Sequence, residues 1–192
     1  MSVPPTSTVY SLAVCLMLCG CGAEEPTPAK ASGPKVQVVT GHAKAPPGAF
    51  EQNAFTCCAT PEAAGIVGAF RDLGAALAAD DEPGATKGAQ ALADAMASTT
   101  FSGNAAPLQT VGASFRAAGS IAAVRDAYLE ASVPMLAYAR AHQGGSDRFA
   151  VGYCSMKPGR WLQSEPELAN PYYGSEMLRC GTFEGIESSP SD

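Results

Sequence analysis

The sequence predicts a mainly α-helical domain, an antiparallel four-helix bundle on which a C-terminal irregular or short-β segment packs. Three observations lead to this class. Apolar residues recur every three or four positions between residues 60 and 142, short breaks rich in Gly, Asp and Asn separate these stretches, and the composition changes after Gly144. The 192 residues suit one domain with tails. Short links between consecutive helices favour antiparallel neighbours.

The first predicted helix begins at Thr60, which can cap it, with Pro61 at its first position and Glu62 in its first turn. One apolar face then carries Ile66, Phe70, Leu73 and Leu77. A second helix is predicted to about residue 99, a third over about 107–118 and a fourth over about 120–142. Pro134 lies inside the last of these and predicts a kink there.

The N-terminus predicts a lipoprotein signal. Residues 10–18 form an apolar run that is too short to span a bilayer as a helix but fits the apolar part of a secretory signal. The run ends in Leu18-Cys-Gly-Cys21, which resembles the lipobox of bacterial lipoproteins. This resemblance implies removal of residues 1–20 and acylation of Cys21. We expect attachment to the membrane through that lipid, at the outer membrane facing the periplasm.

The next part of the chain, residues 21–58, is rich in Pro, Ala and Gly and predicts a flexible linker. The helical domain with its C-terminal motif is expected over residues 59–188. A short strand at residues 36–39 is also compatible with the pattern of Val residues there.

The net charge and the residue types present make some classes of function less plausible than others. The chain has 12 Lys and Arg against 18 Asp and Glu, a net charge of −6, which disfavours a nucleic-acid-binding face. The predicted helices contain one histidine, and neither a Ser/His/Asp set nor a phosphate-binding glycine loop can be assembled from them. We therefore expect a binding protein and not an enzyme.

Two Cys/Met pairs near the C-terminus are the main functional signal. Cys154 and Met156 are two apart, so on a strand their side chains point to the same side. Met177 and Cys180 are three apart, so on one helical turn they share a face. Soft sulfur ligands select Cu(I), whereas zinc sites use Cys, His and carboxylates. The four sulfurs together predict a soft-metal site, with Cu(I) as its ion.

Other residues are weaker candidates for the same site. Trp161 is either a core anchor or a ring that caps the metal, and His142 is either a helix C-terminal cap or a ligand. The adjacent Cys57 and Cys58 lack the C-x-x-C spacing of redox enzymes. They can bridge to Cys154 or Cys180, be disulfide-linked within the domain, or add thiolates to the metal.

The same segment resembles a known family. The residues that carry the resemblance are Tyr153-Cys-Ser-Met156, Gly159-Arg-Trp-Leu-Gln163 and Asn170-Pro-Tyr-Tyr-Gly-Ser-Glu-Met-Leu-Arg-Cys-Gly181. They are similar to a domain of unknown function that is appended to periplasmic adaptor subunits of copper/silver efflux systems and that also occurs in secreted or lipid-anchored proteins. The resemblance covers about residues 62–187 and implies a metal role for Cys154, Met156, Met177 and Cys180.

This sequence departs from the family pattern where Ser155 replaces a proline and where the helices lack upstream histidines. By the resemblance, a metal-efflux adaptor or another envelope protein is the expected partner.

The alternative function needs no metal. Cys154 and Cys180 can form a disulfide, since an extracytoplasmic compartment is oxidising. Such a bond closes a loop of about 26 residues and adds about 3.5 kcal/mol if chain entropy alone is counted. The protein is then a structural or interaction module, stapled by disulfides, that docks to an envelope partner.

Overall fold

The structure is a computed structural model that describes residues 45–188. The predicted signal, Cys21 and the predicted strand at residues 36–39 lie outside the described residues. The described part is mostly helical with a small antiparallel sheet, so the mainly helical prediction is confirmed. Its helices are α1 (Ala49–Asn53), α2 (Pro61–Ala78), α3 (Glu82–Ala97), α4 (Leu108–Ala117) and α5 (Ile121–Ala141).

Three of the long helices begin at a side chain that accepts a backbone hydrogen bond. Thr60 Oγ1 accepts from the N–H of Ala63 at 3.2 Å, as the sequence predicts for α2. Asp81 and Ser120 cap α3 and α5 in the same way. Each cap satisfies one of the N–H groups that have no partner inside the helix. The ends of the predicted helices thus agree with the observed ones within a few residues.

The core lies between the helices and one face of the sheet. Phe70 of α2 stacks on Tyr128 of α5 with ring centroids 4.1 Å apart. Gly74 permits this contact, because a Cβ at that position would lie 2.4 Å from the Tyr128 hydroxyl oxygen. Pro134 is buried inside α5, which runs as one helix from Ile121 to Ala141. In residues 45–188 no helix combines the length and apolar character that crossing a bilayer requires.

The C-terminal segment, which the sequence predicts as irregular or short-β, contributes three short strands to a small antiparallel sheet: β2 (Asp147–Cys154), β3 (Gly159–Gln163) and β4 (Thr182–Glu184). The fourth strand, β1 (Phe55–Cys57), comes from before α2. The strand β2 pairs with each of the other three. The four-helix bundle is not confirmed, because a sheet is present and packs on α2 and α5.

The folded part begins before residue 59, within the stretch interpreted as linker. Phe50 of α1 is buried and contacts Phe183 edge-on, with centroids 5.7 Å apart. Phe55 of β1 pairs with Phe149 of β2. These partners are far along the chain, so a pattern within residues 45–58 gives little sign of them.

Candidate metal centre

The register of the sheet determines where the two C-terminal cysteines lie. Tyr153 of β2 is opposite Thr182 of β4 in antiparallel pairing. Continuing that register sets Cys154 against Gly181, the residue that follows Cys180. Paired strands lie about 4.8 Å apart, so the two cysteines meet at the end of the β2–β4 pair.

Both thiols are free, and they lie close enough together to interact electrostatically. Cys154 is fully buried and Cys180 is partly exposed. Burial raises the pKa of the Cys180 thiol, and the neighbouring Cys154 raises it further. Cys180 is therefore a neutral thiol at pH 7, and a metal ion that binds its sulfur has to displace a proton.

Asn170 organises the loop that carries Cys180. It is fully buried. Its side-chain Nδ2 donates to the carbonyl oxygen of Cys180 at 2.9 Å, and its Oδ1 accepts from the N–H of Tyr172 at 2.9 Å. Its backbone N–H donates to Leu178 at 2.8 Å. One side chain thus ties the start of the loop to the cysteine at its end.

A second contact fixes the same loop to the helices. The Asp80 carboxylate, at the end of α2, accepts from the N–H of Ser175 at 2.8 Å and pairs with Arg125 of α5. Arg125 also donates to the carbonyl of Pro171 at 2.9 Å. The hydrogen bonds from Ser175, followed by those from Arg125, lower the pKa of Asp80 from 3.8 to about 2. The carboxylate therefore stays charged at neutral pH.

Trp161 forms one wall beside the cysteines. It is 1% exposed, and its Nε1 donates to Gln163 Oε1 at 2.8 Å. The ring lies across Gly152, where a Cβ would be 2.1 Å from the indole. The far edge of the ring lies against Gly181, since a Cβ there would be 3.0 Å from it. Trp161 is thus a core anchor that also borders the cysteine pair.

Tyr172 forms a second wall. Its hydroxyl donates to the backbone carbonyl of Arg160, and its ring meets Trp161 edge-on with centroids 6.1 Å apart. The hydroxyl also interacts with Ser132 of α5 and lies close enough to Cys154 for the two to interact electrostatically. Burial raises the pKa of Tyr172, so a neutral phenol faces the buried thiol.

The methionines occupy two different environments. The N–H of Cys180 donates to the carbonyl of Met177 at 2.9 Å, so these two residues are the ends of one non-helical turn. β2 ends at Cys154, so strand alternation does not extend to Met156. Met156 lies in the turn between β2 and β3 and is 64% exposed. It is a surface residue, whereas Cys154 is buried.

Cys57 and Cys58 form a disulfide with each other. Cys57 pairs with Asp147 at the start of β2, and Cys154 lies at its other end. Seven residues of strand separate these positions by about 23 Å. In this arrangement the adjacent pair contributes no thiolate to the Cys154 and Cys180 pair.

His142 lies at the C-terminal end of α5, as the capping interpretation expects. Its Nδ1 is 2.8 Å from the carbonyl oxygen of Tyr138, and its ring contacts that tyrosine with centroids 4.2 Å apart. Ala59, which follows the disulfide, donates to its backbone carbonyl at 3.3 Å. His142 is thus near the start of β2, on the side of the disulfide.

The site offers a metal two sulfur donors in mostly apolar surroundings. Within residues 45–188, no group of three or more His, Cys, Asp and Glu side chains is arranged around a common point. A soft ion that tolerates low coordination by sulfur fits the pair of thiolates. The donor set therefore fits Cu(I).

Comparisons of the chain with protein-family models, with curated proteins and with solved structures gave no match. The resemblance to the domain of copper and silver efflux adaptors stays a prediction.

Sequence reasoning missed the polar residues that position the cysteine loop. The family resemblance includes Asn170 and Gln163 without assigning either a role, and no sequence pattern singles out Asp80. In the structure the side-chain oxygen of Gln163 accepts hydrogen bonds from the Trp161 indole and from the N–H of Ala169. A polar amide at the end of an apolar strand is the one signal that points to such a role.

Proposed function

We propose that the protein binds a soft metal ion, Cu(I), through the sulfur atoms of Cys154 and Cys180. The single observation that carries this proposal is the proximity of two free thiols that come from distant parts of the chain. Thiolates are the soft ligands that select Cu(I). Because the fold already brings the two cysteines near each other, we expect metal binding to require the loss of protons more than a movement of the chain.

The two methionines extend the proposal. Met177 begins the turn that ends at Cys180, which makes its thioether the nearest candidate for a further donor. Met156 is exposed in the neighbouring turn. A surface thioether can bind an ion weakly and transiently as the ion arrives or leaves. We propose that Met156 takes part in the transfer of the metal ion and that the cysteine thiolates hold the bound ion.

The cellular setting is part of the proposal. A lipid on Cys21 would hold the protein at the outer membrane facing the periplasm, where it would act in metal tolerance or hand metal to an efflux adaptor or another envelope protein. The long helices, interpreted as an antiparallel bundle, would be the scaffold. Support for this scaffold comes from the packing of α2 on α3, α3 on α4 and α4 on α5.

The test is a titration of the reduced full chain with Cu(I) in the presence of a competing chelator. We expect competitive binding that is lost in Cys154→Ser and in Cys180→Ser, and weakened in Met177→Leu. The matched control is the double variant Cys57→Ser with Cys58→Ser, because those sulfurs lie at the other end of β2. Absence of competitive binding, or equal binding by the Cys154→Ser and Cys180→Ser variants, would contradict the proposal.

The disulfide-stapled module is the second candidate, and the same proximity favours it. Two thiols near each other can be oxidised to a disulfide in an oxidising compartment. Mass spectrometry of the protein purified without reductant distinguishes the candidates. A structural staple predicts two disulfides in every molecule, and copper loading predicts that Cys154 and Cys180 stay reduced and bind the ion.

A further inference from the structure

A cleft of about 570 Å³ lies where α2 begins and where α3 and α5 end. Its lining includes Glu62 from the first turn of α2, Thr99 just after α3, and Tyr138 and His142 from the end of α5. This volume is in the range of small-molecule sites. The cysteine pair contacts an earlier turn of α5, through Tyr172 and Ser132, so the cleft is a separate feature.

Two side chains that line this cleft, Glu62 and His142, can accept a hydrogen bond from a ligand. Glu62 Oε1 accepts a hydrogen bond from the Thr99 hydroxyl at 2.8 Å. A ligand in the cleft can then pair with the other carboxylate oxygen, Oε2. His142 Nδ1 must carry a hydrogen, because its partner, the Tyr138 carbonyl, can only accept. In the neutral ring, Nε2 is then an acceptor. The wall of the cleft thus presents a carboxylate from Glu62 and an imidazole lone pair from His142.

The charge of the surrounding backbone has the same sign. Among the described helices, the carboxyl ends of α3 and α5 reach the cleft and α2 brings its amino end, and helix carboxyl ends carry partial negative charge. Arg140 also lines the cleft; its guanidinium donates to the Ile186 carbonyl and lies 3.9 Å from Glu187, which partly offsets its positive charge. Glu62 thus supplies the carboxylate that a cation in the cleft would meet.

Aromatic rings supply the apolar part. Phe101 meets Tyr138 edge-on with centroids 5.2 Å apart, and Tyr138 contacts the His142 ring. Burial, and after it the charge of Glu62, raises the pKa of Tyr138, so its hydroxyl stays neutral. We propose that this cleft binds a small organic cation, a protonated amine that carries an aromatic or other apolar group. The carboxylate pairs with the ammonium, and the rings contact the apolar group.

Calorimetric titration of the full chain with benzylamine at low ionic strength tests this proposal. The test variant is Glu62→Gln, and the matched control is Glu82→Gln. Each replaces a carboxylate in the first turn of a helix, α2 or α3, with the neutral amide. We expect saturable binding that Glu62→Gln weakens about tenfold, the effect of losing a charge-assisted hydrogen bond. Glu82→Gln should leave the affinity unchanged.

Neutral benzyl alcohol and anionic benzoate are control ligands. They carry the same ring without a positive charge, so they show whether the cleft recognises the charge or only buries the ring. We expect both to bind at least about tenfold more weakly than the amine. Equal binding of the alcohol, an unchanged affinity in Glu62→Gln, or no saturable binding of benzylamine would each overturn the proposal. The outcome is independent of the copper titration, because none of the described residues that line this cleft is a cysteine or a methionine.

Discussion

The free thiols of Cys180 and Cys154 lie near each other at the end of the β2–β4 pair. Three features of the fold support this proximity: the strand register, the Asn170 side chain behind Cys180, and the Asp80 carboxylate that holds the preceding turn. Each feature can be altered separately.

Metal affinity should rise with pH. The pKa of Cys180 is raised above its usual value by burial, so the thiol is protonated throughout the physiological range and the metal must displace its proton. For each proton displaced, the apparent affinity for Cu(I) increases about tenfold per pH unit. Chelator competition between pH 6 and pH 8 measures this slope. An affinity that is independent of pH would contradict binding at the Cys180 sulfur.

Replacing Asn170 should destabilise the domain. The change Asn170→Ala leaves the buried N–H of Tyr172 and the carbonyl of Cys180 without their partner. We expect a loss of about 2–4 kcal/mol in the free energy of unfolding. Urea unfolding measures it, with the exposed Asn104→Ala as control, which should change stability by less than about 0.5 kcal/mol. Equal stability of both variants would refute the supporting role of Asn170.

The Asp80 contact predicts a pH-dependent stability. Because its folded-state pKa is lowered from 3.8 to about 2, its stabilising contribution is complete above pH 3.8 and is lost as the pH falls towards 2. Asp80→Asn should therefore be less stable than the wild type near neutral pH, and the difference should shrink below pH 4. Unfolding free energies measured as a function of pH test this.

The exposed pair of Asp94 and Arg116 offers the control for Asp80, since an exposed pair contributes little. Asp94→Asn should have a smaller effect at neutral pH. An Asp80→Asn effect that stayed constant from neutral pH to pH 2 would show that its charge is not what stabilises the loop.

Replacing Gly152 or Gly65 with alanine should change the stability of the domain in opposite directions. Gly152→Ala places a Cβ 2.1 Å from the Trp161 ring, so the indole must move and we expect a loss of about 1–3 kcal/mol. Gly65→Ala, in α2, meets no atom within 4 Å and should stabilise the helix by about 0.5–1 kcal/mol. Thermal unfolding, with tryptophan fluorescence for Gly152→Ala, measures both. A fully stable Gly152→Ala would mean that the indole does not lie across this glycine.

Local signals in the sequence predicted the helices well. The cap at Thr60 and the break between the first two predicted helices depend on nearest neighbours, and in the structure α2 ends at Ala78 and α3 begins at Glu82. Strand β1 was not predicted, because Phe55 is stabilised by Phe149, which is far along the chain. The propensities within residues 45–58 do not contain that information.

The site was predictable only in part. The sequence grouped Cys154 with Cys180, and in the structure the two thiols lie close enough to interact electrostatically. The pairing of Cys154 with Met156 requires the strand to continue past Cys154, whereas β2 ends there and Met156 lies exposed in the following turn. Spacing can set the side to which a residue points only while the strand continues.

The most direct measurement of the central claim is X-ray absorption at the copper edge of the Cu(I)-loaded full chain. The account predicts a first shell of sulfur atoms in the wild type, and loss of that shell in the double variant Cys154→Ser with Cys180→Ser. A shell dominated by nitrogen and oxygen, or the same sulfur shell in that double variant, would contradict it.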